Sequence, residues 1–328
     1  MKPRKKSVPR IVVIAGGKGG VGKSTIAANL SLAMGRLGHR IVLIDADLGA
    51  ANLHTMLGVT RPVVSLADFF DNRIDSLEEA RISVSLPTVS LIPGTSRPGA
   101  ANLSASDKAR LLRGIAKLDT DVVVIDVGAG TSFNVVDLVA VADIKLFVVT
   151  PQLPSLHNAY ALMKACVHRV IRKLADDEVG QAMVDSALGQ ETKSRTISQL
   201  LSVLRPLDGA LAVNIEDALA RFGVGLIGNL LTGDQELNVL HRIATMIHEQ
   251  LHVTSPVMAA IRRGAALGGG LKAGVGTIAD RSEPAGASFR ALAATVLEMD
   301  LAQLRGTARV THEKTMPLWI QREMDVAS

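Results

Sequence analysis

The sequence predicts an α/β fold of three layers, a mostly parallel sheet covered by helices on both faces, with a helical insertion set into it. Three observations predict it. Short apolar runs rich in Val and Ile alternate with stretches of helical spacing, the first run empties into a glycine-rich turn, and acids stand at the ends of two later runs. Parallel strands are buried on both faces, so they read as continuous apolar runs.

Residues 10–15 form the first such run and end on Gly16 and Gly17, which predicts a strand feeding a loop. In 24–37, Ile26, Leu30, Ala33, Met34 and Leu37 recur at helical spacing, and Gly38 stops the helix. The second strand, 40–44, delivers Asp45 and Asp47 to its carboxyl end. Further strands are expected at 84–87 with 89–92, at 122–125 and at 146–149, separated by helices over 104–118 and 135–141. Residues 156–174 predict a long helix with Cys166 on or near its packed side. The stretch 176–221 is polar and patterned as short helices, for example 197–204 and 215–222, and reads as the insertion. A strand at 224–227 leads to Asn229, and helices follow at 234–251 and 288–304. Between them, 262–276 with its GGG at 268–270 reads as a loop. The organisation is then a basic tail at 1–10, one domain over 11–304, and a C-terminal tail at 305–328.

Composition narrows the classes. The 328 residues are 48% apolar and 20% charged, enough for a real core and unlike a disulfide miniprotein or a disordered chain. Aromatics are only 2%, too few for base-stacking platforms. The net charge of +5 is local: Lys2, Arg4, Lys5, Lys6 and Arg10 supply it, which leaves 31 of the 36 bases to balance 31 acids. One cysteine, Cys166, excludes a disulfide framework and fits a reducing compartment. There is no signal-peptide pattern and no charge-free apolar run of membrane length, so a cytoplasmic protein is expected.

The segment GGKGGVGKST, 16–25, fits a phosphate loop in which Gly17 opens and Gly22, Lys23 and Ser24 close it, with a strand before and a helix after. Gly17, Gly19, Gly20, Val21 and Gly22 would turn backbone N–H groups onto phosphate oxygens, Lys23 would reach the β and γ phosphates of ATP, and Ser24 would serve Mg2+. Thr25 is a second hydroxyl toward the α-phosphate. Lys18 cannot share one phosphate pocket with Lys23 from the same side without repulsion, so it is expected to point outward to a second copy's nucleotide. Asp47 is the candidate for orienting the attacking water, and Asp45 for the metal or its waters. In VVVIDVGAG, 122–130, Asp126 reaches the sheet edge as a further metal ligand; capping the next helix is its structural alternative.

KGGVGKST with Lys18 is similar to the deviant Walker A motif of the MinD/ParA family, whose members dimerise around two ATP molecules, and DVGAG looks most like its FlhG (FleN) subfamily of flagellar-number regulators. The resemblance implies a P-loop ATPase fold, a homodimer when ATP-bound, and a lysine at Lys18 that crosses the dimer. It also implies a switch aspartate at Asp47, a nucleotide-binding asparagine at Asn52 and an adenine-contacting asparagine at Asn229. Asn214, which also follows an apolar run, competes for that last role. The run 148–170 resembles the subfamily's strand-then-helix segment, with Gln152 where an acid is usual and His157, Asn158 and Tyr160 as a partner surface, Tyr160 reading equally as a core or rim residue. The start MKPRKKSVPR lacks the subfamily's DQAxxLR activator segment, and Pro317 interrupts the apolar cluster of 311–324, which argues against a membrane helix.

The leading expectation is an ATP-dimerising switch with slow hydrolysis that recruits a protein partner and controls the number or position of a cellular structure such as the flagellum. A partitioning ATPase that coats non-specific DNA is the second, drawn from the basic tail, Arg262, Arg263 and Lys272. A metallocentre-assembly ATPase is the third, with no visible ligand cluster; His241, His248 and His252 read as solvated or capping groups.

Overall fold

The computed structural model describes residues 8–95, 103–175, 178–188, 196–263 and 284–300. Its strands are β1 (Arg10–Ala15), β2 (Ile41–Ala46), β3 (Ile82–Ser83), β4 (Val89–Ile92), β5 (Val122–Val127), β6 (Ile144–Val149), β7 (Gly225–Leu231) and β8 (Val257–Arg262). They form one sheet in the order β3-β4-β2-β5-β1-β6-β7-β8, parallel throughout except for the β3–β4 pair. The helices are α1 (Lys23–Arg36), α2 (Leu53–Met56), α3 (Leu66–Phe70), α4 (Ala105–Lys117), α5 (Phe133–Val141) and α6 (Leu153–Leu174), then α7 (Glu178–Leu188), α8 (Ile197–Leu204), α9 (Gly209–Arg221), α10 (Asp234–Leu251) and α11 (Pro284–Glu298).

Alternation along the strands builds two cores. Val12 and Ile14 of β1 pack with Ile26, Leu30 and Met34 of α1 and with Phe289 of α11. Val13 and Ala15 face the other way, onto the layer made by α3 to α6 and α8 to α10. The strands β2, β4, β5 and β6 are buried on both faces, as the unbroken apolar runs predict, whereas the edge strands β3 and β8 are partly exposed, and the layers are filled by aliphatic side chains with Phe69, Phe147 and Phe289 as the large buried rings.

Local signals account for the boundaries. Helix α4 opens with a capping box in which the Ser104 hydroxyl accepts from the Asp107 N–H and the Asp107 carboxylate accepts from the Ser104 N–H. Thr196 and Gln199 do the same for α8. At the far end, the Arg10 guanidinium donates to the Val296, Leu297 (2.8 Å) and Met299 (2.6 Å) carbonyls and so closes the last turn of α11.

Some expectations change. No strand forms at 84–87: the edge strand is the two-residue β3 just before it, antiparallel to β4, and Val89 N–H bonds the Leu86 carbonyl in a turn before β4. The proline at 87 has no N–H to give a ladder. Helix α9 begins at Gly209, not at 215, because the Asp208 carboxylate accepts from the Leu211 N–H at 2.9 Å. Strand β8 has no counterpart in the sequence reading; its two central alanines have low strand propensity. The helix expected over 288–304 runs instead over Pro284–Glu298. The expected tail at 1–10 is described only from Val8, and the tail at 305–328 and the GGG of 268–270 lie outside the described residues. The insertion between β6 and β7 is helical, as expected, and consists of α7, α8 and α9 beyond the end of α6.

Candidate functional site

The site sits where the parallel strands end. The loop between β1 and α1 rises at the middle of the sheet, with β5 on one side and β6 on the other, so the chain leaves the two flanking strands in opposite directions. Gly20 and Gly22 hold φ of 78° and 95°, in the left-handed region that glycine enters freely, and these turns carry the loop around to α1. Gly17 is glycine for another reason: a Cβ there would stand 2.0 Å from the Asn158 carbonyl oxygen of α6. Backbone meets backbone at that point. Gly22 caps α1, and the first turn of α1 contains no acid, which leaves its N–H groups to an anion. Lys23 is 7% exposed within the loop, whereas Lys18 is exposed at its tip with Gly19 and Gly20.

Two carboxylates stand side by side next to this loop, because β2 and β5 are neighbours and Asp45 pairs in register with Asp126. Asp126 is 1% exposed. Burial pushes its carboxyl up to about 7, with the charges of Asp45 and Asp47 adding to the rise and the Ser24 hydroxyl bond and Lys23 opposing it. Asp126 Oδ1 is buried without a hydrogen-bond partner. A divalent cation supplies what that arrangement lacks, a positive charge among acids and a hydroxyl, and the oxygen donors suit Mg2+. Asp126 and Ser24 therefore fit the metal role.

Asp45 is differently occupied. Its carboxylate accepts from the N–H groups of Asp47 (3.3 Å), Asn52 (3.0 Å) and Leu53 (3.0 Å), which folds the segment after β2 into α2. Burial raises it to about 6 against those three bonds. The strand runs on through Ala46, so Asp47 lies just beyond it, with its Oδ1 3.1 Å from where a Cβ on Gly128 would be. Gly94, after β4, is pressed against Asp45 in the same way. Asn52 is exposed at the start of α2, and only its backbone N–H is engaged in the site. Thr25 lies in the first turn of α1.

Asn229 and Asn214 part company. Asn229 lies within β7, which runs past the end expected at 227, and its side chain reaches the loop: Nδ2 donates to the Val21 carbonyl at 2.8 Å, and the residue is 2% exposed. Asn214 is exposed on α9, in the insertion. On α6, His157 is exposed and Tyr160 packs against the core.

The profile described as CobQ/CobB/MinD/ParA nucleotide binding domain matches residues 12–272, a span that begins in β1 and contains every residue of the site. The chain belongs to the MinD/ParA family of deviant Walker P-loop ATPases. Its relatives include the antiactivator FleN of Pseudomonas aeruginosa, 36% identical over 158 residues, which are 47% of this chain and 55% of FleN. The septum site-determining protein MinD of Synechocystis is 32% identical over 233 residues, 70% of this chain and 77% of that one. The match thus spans about half of FleN's length. In fold, MinD of Pyrococcus horikoshii, solved with Mg-ADP, superposes with a TM-score of 0.60 at 20% identity over 88% of this chain and 96% of that one. Membership of this ATPase family makes ATP and Mg2+ the ligands of the site.

The Asn158–Gly17 approach, the Gly94 support of Asp45 and the Asn229 bond to Val21 were not read from the sequence. The glycines alone could have flagged the first two, as positions where another backbone comes close. Of the cations named for DNA, Arg262 is paired with Asp234 at 2.5 Å, and Lys272 lies outside the described residues. Among the described residues no group of His, Cys, Asp and Glu is arranged to hold a metal on its own, and no helix is long and apolar enough to cross a membrane. His252 closes α10 and bonds the Ser198 hydroxyl at 2.8 Å.

Proposed function

We propose that the chain is an ATP-dependent dimerising switch that hydrolyses ATP slowly in the cytoplasm. Through a protein recruited by its ATP-bound form, it sets the number or position of a cellular structure such as the flagellum. The observation that carries this reading is the contrast between the two lysines of one loop, Lys23 buried in it and Lys18 exposed at its tip. Lys23 and the N-terminus of α1 hold the chain's own triphosphate, while Lys18 is free to reach the nucleotide of a second copy. The similarity to FleN supports the flagellar assignment.

Each residue has a definite task. The loop glycines present N–H groups to the phosphates, and Asn229 offers the base its amide oxygen. Ser24 and Asp126 would hold Mg2+, which when bound would neutralise phosphate charge. Asp45 holds the segment that carries Asp47, and Asp47 orients the water. Nothing on the described side chains supplies a strong base at that point, which makes hydrolysis slow, and a lysine from each copy stabilises the charge that develops.

Lys18→Ala tests this directly. Sedimentation with a non-hydrolysable ATP analogue and Mg2+ is expected to show wild-type dimers and variant monomers that still bind nucleotide, with turnover lowered at least about a hundredfold. A variant that dimerises and turns over like wild type sinks the assignment.

A further inference from the structure

We propose that Asn229 is a positioning residue for the phosphate loop, a strut whose side-chain amide pins the Val21 carbonyl and thereby aims the Gly22 N–H at the triphosphate. This rests on the reading that the loop holds ATP. Asn229 Nδ2 donates to Val21 O at 2.8 Å, and both residues are buried. A Cβ on Gly22 would come within 2.3 Å of the same nitrogen, so the amide lies directly against the Val21–Gly22 peptide.

The consequence follows from peptide geometry. In a trans peptide the C=O and N–H point in opposite directions, so a carbonyl held toward Asn229 turns the Gly22 N–H away from it. Gly22, at φ 95°, lacks on its side the Cβ that would resist rotation of this peptide. Released from its partner, the peptide can turn over and put a carbonyl oxygen where an anion should sit. The strut is what excludes that state. It is reached from two strands away, across the end of β6, which explains why a residue at 229 governs a loop at 21. Asn229 Oδ1 is buried without a partner, the unmet acceptor that the proposed contact to a base amino group would satisfy, so the two ends of one amide carry separate tasks.

The experiment separates strut from base contact by using ligands with and without the adenine amino group. Wild type and Asn229→Leu, similar in size but without the donor, are titrated with Mg-ATP, Mg-inosine triphosphate and Mg-tripolyphosphate, and the nucleotide-free proteins are melted alongside. Loss of the strut is expected to weaken all three ligands together, by about tenfold, or about 1.4 kcal/mol, with the nucleotide-free melting midpoint unchanged. Weakening of ATP alone makes Asn229 a base contact only and overturns the proposal. So does undiminished binding of every ligand, or a lowered midpoint with affinities intact. Should the leucine variant misfold, Asn229→Ala is read by the same criteria. Wild-type protein that takes up no Mg-ATP overturns the nucleotide reading itself.

Discussion

Gly17 and Gly19 stand two residues apart in one loop and make opposite demands. A methyl group on Gly17 meets the backbone of Asn158 and Ala159 of α6, whereas one on Gly19 meets nothing within 4 Å. Gly17→Ala is therefore expected to destabilise the nucleotide-free protein by about 1–3 kcal/mol and to weaken ATP binding. Gly19→Ala should leave urea unfolding of the nucleotide-free protein where it was. Equal midpoints for the two variants would contradict the close approach. The contrast also shows how far a motif reaches: it marks both positions as glycine, but only the packed helix tells which one is closed to a side chain. Asp45 makes the same point. Its place after an apolar run was legible, yet its three N–H partners come from a segment with no regular pattern of its own.

Among the elements, β6 carries an unusual passenger. Lys145 is 6% exposed, its Nζ donates to the Ala142 carbonyl at 2.8 Å and lies 4.8 Å from the Phe222 ring that closes α9. Burial pulls its ammonium down to about 8, against the charges of Asp143 and Cys166. The unfolded chain, with a lysine near 10.5, holds more protons than the folded one between about pH 8 and 10.5. The contribution of this group to stability therefore rises with pH across that window and is flat below it. Lys145→Met is expected to abolish the rise, as read from urea midpoints at about pH 7.5 and about pH 9.5. An unchanged difference between the two pH values would rule the lysine out as its source. Regular elements of this kind were legible where periodicity was strong, as in α1 and α8, and illegible where a single cap decided the boundary. Asp208 is the example: one carboxylate makes the apolar run 211–213 part of the first turns of α9, ahead of the start expected at 215.

At the scale of the molecule, nucleotide, metal and fold are one equilibrium. A ligand that binds only the folded chain stabilises it by about 2.7 kcal/mol at a concentration 100 times its dissociation constant. ATP with Mg2+ is expected to raise the melting temperature, and chelation by EDTA to remove most of that rise. Asp126→Asn should lose the response to Mg2+ while keeping a metal-independent response to ATP; a full Mg2+ response in this variant would place the metal elsewhere. The sheet order itself was only partly legible. Sequence patterns identify strands but not neighbours, and the pairing of β2 with β5 that brings Asp45 beside Asp126 depends on contacts some 80 residues apart. Because the Arg10 side chain grips the carbonyls of 296, 297 and 299, β1 starts where α11, the last helix among the described residues, finishes. A short linker could join those points, and the protein could then be reopened at an exposed turn such as the one around Gly38, giving a circular permutant that keeps the nucleotide loop in the interior of its chain.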